Sequence, residues 1–151
     1  MQETTTISPS KPSLIKEALR LGKLRLSTSV VFSSVAGYFL GMEVFSWAQL
    51  LLLIFGGITV VAASNAYNQI YEKDRDALMN RTKGRPLPLG TLTLQEAWFI
   101  ATFLLVIGLW ALYVINPMTA YFGALSVVLY TLVYTPLKAK TPLAVFVGAI
   151  P

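Results

Sequence analysis

The sequence predicts an all-α integral-membrane protein, a bundle of several transmembrane helices, and three observations carry that expectation. Hydrophobic residues fill 55% of the 151 positions and charged ones only 13%, against roughly 25% charged in a soluble domain. Uncharged runs extend from Leu26 to Met42, from Val44 to Tyr71 and from Ala97 to Leu137, each within or beyond the roughly 17–25 residues that cross a bilayer. All twelve Lys and Arg residues fall outside these runs.

Taken in order, residues 1–13, rich in Thr, Ser and Pro, read as a disordered leader. Residues 14–25 set Leu14, Ile15, Ala18, Leu19 and Leu21 against Lys16, Glu17, Arg20 and Lys23, the pattern of an amphipathic interfacial helix. A first span is predicted near 26–42; about 25 residues precede it and no A-x-A exit follows, so it is not read as a cleaved signal. A second span covers 47–71. The run from Ala97 to Leu137 is too long for one crossing, and Asn116-Pro117 divides it into spans near 97–115 and 118–137. A fifth apolar segment, 141–151, starts at Thr141 and ends with the chain at Pro151, an improbable natural stopping point for a membrane protein. Gly56 and Gly57, with Ala62, Ala63 and Ser64, are expected to let helices approach closely. Trp47, Trp98 and Trp110 read as interface or packing residues.

The positive charges occupy three places: Lys11 to Arg25, Lys73 to Arg85, and Lys138 with Lys140. The loops between, Gly41 to Ser46 and Ile115 to Thr119, have none, so the positive-inside rule puts the N-terminus and the 72–95 loop in the cytoplasm. The leader lacks Arg and carries Glu3, unlike a mitochondrial transit peptide, which favours a bacterial inner membrane. Such partitioning argues against nucleic acid, which would need one basic soluble face. With no Cys and no His, thiolate sites, Ser-His-Asp triads and axial haem histidines are excluded within these residues. Any metal here must sit on oxygen.

Asn65, Asn68, Glu72 and Asp76 follow at spacings of three, four and four, which places them within roughly 80° of one another on a helix. Asp74 points about 180° away from Asn65. Amides and carboxylates emerging from an apolar span are costly in lipid, so the stripe must face the bundle interior or a wet cavity. Hard oxygen donors suit Mg²⁺, which bridges to substrate phosphates. Lys73, Arg75, Arg81, Lys83 and Arg85 follow directly and could neutralise diphosphate oxygens. Topology alone would also place basic residues there, and carboxylates at a helix end can simply be solvated. Four polar side chains on one face, two inside an uncharged run, favour a built site. Tyr67, Tyr71, Tyr130 and Tyr134 could shield a carbocation or merely pack.

The segment Asn68-Gln-Ile-Tyr-Glu72-Lys-Asp74-Arg-Asp76 resembles the N-x-x-x-D-x-x-x-D motif of the UbiA superfamily of intramembrane prenyltransferases, with Glu72 in place of the middle Asp. The run from Asp76 through Met79, Arg81, Thr82, Arg85, Pro86 and Leu87 to Gly90 is similar to the D-x-x-M-x-R-T-x-x-R-P-L-x-x-G run of the haem-directed branch, the haem O synthases. Tyr134-Thr135-Pro136-Leu137-Lys138-Ala139-Lys140-Thr141 resembles that branch's Y-T-x-x-L-K-R-x-T segment, with Ala139 where a basic residue is usual.

The resemblance implies a UbiA-type bundle of about nine helices, of which this chain would hold about four and a half, with a second Asp-rich motif in the other half. It implies transfer of the farnesyl group of farnesyl diphosphate to a vinyl group of haem B, making haem O with release of diphosphate. Asn68, Glu72 and Asp76 would be the catalytic positions, joined by Asn65 in holding Mg²⁺. Lys73, Arg81, Lys83, Arg85 and Lys138 would contact the diphosphate. Membrane lipid is the implied surrounding, with haem A synthase or oxidase-assembly factors as partners. An aromatic acceptor such as 4-hydroxybenzoate, a cation transporter or channel, and a chain inactive without its other half stand as alternatives.

Overall fold

The computed structural model describes residues 13–138; the 1–12 part of the leader and the fifth segment at 141–151 lie outside the described residues. Helix α1 spans Leu14–Gly22, α2 Leu24–Gly41, α3 Trp47–Tyr71, α4 Lys73–Leu78, α5 Leu94–Ile115 and α6 Pro117–Val128. A π-helical segment, Leu129–Tyr134, then leads into α7, Thr135–Leu137. No strand occurs among the described residues.

Local chemistry sets the helix starts. Ser13 caps α1 by accepting the Lys16 N–H, and Thr93 and Glu96 form a reciprocal capping box at the start of α5. Asn116 accepts the Met118 N–H at 2.8 Å and Pro117 follows as the first helical residue, so the predicted break falls where the sequence puts it. The predicted second span, 47–71, coincides with α3.

Contacts along the helices fix their directions. The Tyr38 hydroxyl donates to the Ser46 carbonyl, Val31 abuts Gly57, and Gly22 abuts Ala62, so α2 runs antiparallel to α3. On the other side of α3, Gly56 packs against Gly108 and Leu112, while the Tyr67 hydroxyl lies 3.0 Å from Thr102 Oγ1. A Cβ on Gly108 would come within 2.8 Å of Val60 Cγ2 and 3.0 Å of the Val60 nitrogen. The small residues thus let α3 and α5 cross at backbone distance. Gly123 seats against Leu112 and closes α6 onto α5. The end of α3, α4, the loop after it, the starts of α2 and α5, and α7 therefore gather at one end of the bundle.

Trp47–Leu78, Leu94–Ile115 and Pro117–Leu137 are long and apolar enough to cross a membrane. Helix α2 is not among them. Its 18 residues reach about 27 Å, and Ser27, Thr28, Ser29, Ser33 and Ser34 lower its mean hydropathy. The first predicted span, near 26–42, thus falls almost wholly within this one helix.

Helix α1 departs from the amphipathic reading at two residues, Leu21 of its apolar set, which is buried in the bundle, and Glu17. Leu14, Ile15 and Leu19 remain exposed, as an interfacial helix requires, yet Glu17 is turned inward and buried. Its carboxylate accepts from Thr91 Oγ1 at 2.8 Å and from Arg20 at 3.2 Å, tying α1 to the loop before α5. A buried carboxylate needs such partners.

Candidate active site

The polar stripe is buried as its spacing predicts: Asn65, Asn68, Glu72 and Asp76 are all inaccessible or nearly so, while Asp74 is exposed. Helix α3 passes its polar face into α4 through Glu72, whose φ of −92° and ψ of 3° bend the axis between the two. The Glu72 and Asp76 backbones remain one turn apart, the Asp76 N–H donating to the Glu72 carbonyl at 2.8 Å.

Each carboxylate carries a cation. Glu72 Oε1 accepts from Lys138 Nζ at 3.2 Å and its Oε2 from Asn68 Nδ2 at 3.0 Å. Asp76 Oδ2 accepts from the Arg85 guanidinium. Asn68 is held from its other side: the Thr135 hydroxyl lies 2.9 Å from Asn68 Oδ1 and 2.8 Å from the Tyr130 carbonyl. Side chains thus link α3 to α7 and Lys138 through Asn68 and Glu72, and α4 to the loop through Asp76 and Arg85.

The loop after α4 explains much of its own motif. Thr82 is buried and its hydroxyl donates to the Asp76 carbonyl at 3.0 Å, while Leu87 is a core residue and Pro86 is buried too. Gly90 has φ of +70°, a conformation that disfavours any Cβ. Consecutive turns, with Arg85 N–H donating to the Thr82 carbonyl and Thr91 N–H to the Pro86 carbonyl, aim Arg85 back at Asp76. Arg81 and Lys83 are exposed instead, Lys83 donating to Asn80 Oδ1 at 3.0 Å, and half-buried Lys73 makes no ion pair among the described residues. Of the five expected phosphate contacts, Arg85 and Lys138 stand with the carboxylates.

Asn65 differs from its three neighbours. Its Nδ2 donates to the Gly22 carbonyl at 3.2 Å, and Gln69, one turn later, donates to the Leu21 carbonyl at 2.5 Å. The two amides fasten the end of α1 to α3. That junction supplies a cation the sequence reading left among the topological charges: Lys23 sits between α1 and α2 in a left-handed conformation, φ 48° and ψ 57°. Burial pushes its ammonium below the ordinary lysine value and Arg85 and Lys138 push the same way, while Asp76 and Glu72 oppose them. Gln69, four residues after Asn65 on the same face, was the readable signal for this junction.

An apolar cavity of about 410 Å³ lies between α2, α3, α5 and α6, lined by Val60, Asn65, Leu112, Phe122 and Tyr130 among others. Asn65 and Tyr130 set it beside the polar cluster. Tyr130 stacks on Tyr134 with centroids 5.3 Å apart, whereas Tyr67 packs edge-on against Trp98 and Tyr71 is exposed. Tyr130 and Tyr134 are therefore the aromatic faces near the cluster. Trp47 and Trp110 are exposed on the helix surface.

Residues 30–151 match the UbiA prenyltransferase family. The whole chain is 54% identical to the protoheme IX farnesyltransferase of Christiangramia forsetii, covering 50% of that protein. It is 53% identical to the protein of the same name from Flavobacterium psychrophilum, covering all of this chain and 51% of the relative. The human mitochondrial protoheme IX farnesyltransferase is 39% identical over 87% of this chain and 31% of its own length. The chain spans about half the length of the bacterial relatives. No solved structure matches.

Proposed function

We propose that this chain, which belongs to the UbiA prenyltransferase family, supplies the diphosphate-binding side of an enzyme that transfers a farnesyl group from farnesyl diphosphate to a vinyl group of haem B, giving haem O. The observation carrying the reading is the buried pair Glu72 and Asp76, one turn apart, each matched by a cation, beside an apolar cavity. The donors fit a hard cation: Glu72, Asp76 and Asn68 offer oxygen, and Asp76 Oδ1 accepts no hydrogen bond among the described residues. These three would hold Mg²⁺ together with Asn65, whose Nδ2 donates to the Gly22 carbonyl and leaves its Oδ1 as a further oxygen donor. When bound, Mg²⁺ supplies positive charge that makes diphosphate a better leaving group.

Arg85 and Lys138, now on the carboxylates, are placed to transfer to phosphate oxygens as the anion arrives. Asn68 and Thr135 keep Glu72 oriented throughout. The cavity would take the isoprenoid chain and exclude water from the allylic cation, with Tyr130 and Tyr134 offering π faces. Lys73, Arg81 and Lys83, lying outside the cluster, would raise the positive potential of that membrane face. The full-length protein, expressed with haem B and farnesyl diphosphate, should accumulate haem O by chromatography of extracted haems. Prenylated 4-hydroxybenzoate as the sole product would overturn the haem assignment.

A further inference from the structure

We infer that Lys23, the residue joining α1 to α2, is a third diphosphate-binding cation, presented to the site by Asn65 and Gln69. The inference rests on the farnesyl-transfer reading above and adds a residue that lies outside every motif by which the site was found.

Backbone geometry comes first. A lysine at φ 48° carries a steric cost that glycine would avoid, so a side chain is kept there against the preference of the backbone. Its position is nevertheless fixed. The Gly22 carbonyl receives Asn65 Nδ2 and the Ser27 hydroxyl, both at 3.2 Å, and the Leu21 carbonyl receives Gln69 Nε2. Gly22 lies so close to α3 that a Cβ would meet Ala62 Cβ at 2.9 Å. The junction cannot shift along α3 without breaking these contacts.

Charge points the same way. Lys23 shares its surroundings with Glu72, Asp76, Arg85 and Lys138. Arg85 and Lys138 are each matched with one carboxylate, whereas Lys23 has no ion-pair partner among the described residues. Two carboxylates face three cations, an excess of one positive charge in a half-buried place. A hard cation on the carboxylates would leave all three cations facing the added anion. Diphosphate is favoured over a haem carboxylate because the groups around Lys23 are those of the metal and phosphate stripe. An ammonium with three donors suits such a multiply charged oxyanion.

The test uses the full-length protein in detergent, with Lys23→Met, Lys23→Arg and Lys23→Gly. Binding of inorganic diphosphate with Mg²⁺ is measured by calorimetry, and KM separately for farnesyl diphosphate and haem. Lys23→Met should weaken diphosphate binding and raise the farnesyl diphosphate KM about tenfold or more, with the haem KM unchanged; Lys23→Arg should recover most of the loss. Lys23→Gly should raise thermal stability yet bind diphosphate as poorly as Lys23→Met. Diphosphate binding unchanged in Lys23→Met, or a rise in the haem KM alone, would overturn the inference. Failure of the wild-type protein to make haem O while it binds diphosphate through Lys23 would instead overturn the acceptor assignment.

Discussion

Replacing Asp76 by asparagine removes one charge and almost no volume, and that makes it the sharpest substitution at the site. Asp76 is buried against the Arg85 guanidinium, so the variant keeps the hydrogen-bond geometry and loses the hard, charged oxygen. Haem O formation by the full-length protein should fall by about 10²-fold or more while its yield in the membrane fraction is unchanged; turnover within a few-fold of wild type would reject the role. Arg85→Met makes the opposite error, stranding a buried carboxylate. It should cost about 3 kcal/mol, read as a lowered midpoint in detergent thermal unfolding. The shared face of Asn68, Glu72 and Asp76 was legible because helical periodicity is local. Asn65 lies on that face too, but its partner is a carbonyl 43 positions away, and no spacing rule encodes that. Lys23 was hidden for the same reason: its setting is made when α1 folds back on α3. The inward turn of Glu17 onto Thr91, 74 positions distant, is a third such case.

At the scale of elements, the π-helical segment Leu129–Tyr134 is the device that aims α7 at the stripe. Pro136 has no N–H to give the Leu132 carbonyl, and its ring would clash with that carbonyl in a regular α-helix. The wider turn relieves both, with the Thr135 N–H bonding back to the Tyr130 carbonyl. Thr135 and Lys138 then reach Asn68 and Glu72. Pro136→Ala permits a regular helix, which would rotate these two residues by about 100°. Haem O formation should drop while helical content by circular dichroism stays constant. Helix ends near Asn116-Pro117 were readable because capping chemistry is written in adjacent residues; a π turn leaves no comparable mark. The glycines divide by contact. Gly108→Val would press a side chain into the Val60 backbone and cost about 1–3 kcal/mol, whereas nothing lies within 4 Å of a Cβ on Gly37, so Gly37→Ala, inside α2, should raise the unfolding midpoint slightly.

For the whole molecule, the charge partition and the helix directions give one consistent orientation. The chain is a multi-pass membrane protein with three apolar helices of spanning length, and their alternation brings Lys23, the basic loop and Lys138 to the same end. The opposite end carries Glu43 and Asn116 around an open hollow of about 670 Å³ and no cation among its lining residues. An excess of Lys and Arg marks the cytoplasmic face, so the diphosphate site should open to the cytoplasm. That placement would suit a soluble charged headgroup whose tail lies in lipid: on the proposed reading the anion would meet Arg85 and Lys138 at the interface and the chain would lie in the cavity beside them. The absence of native cysteines in these residues allows a clean probe of this half of the protein. In the full-length protein, with any cysteine elsewhere removed, exposed Lys83→Cys should react with a membrane-impermeant maleimide in inverted vesicles and stay unlabelled in intact spheroplasts. Glu43→Cys, in the loop at the other end, should show the reverse. Labelling of Lys83→Cys from the outside would invert the topology and put the diphosphate site on the face away from the cytoplasm.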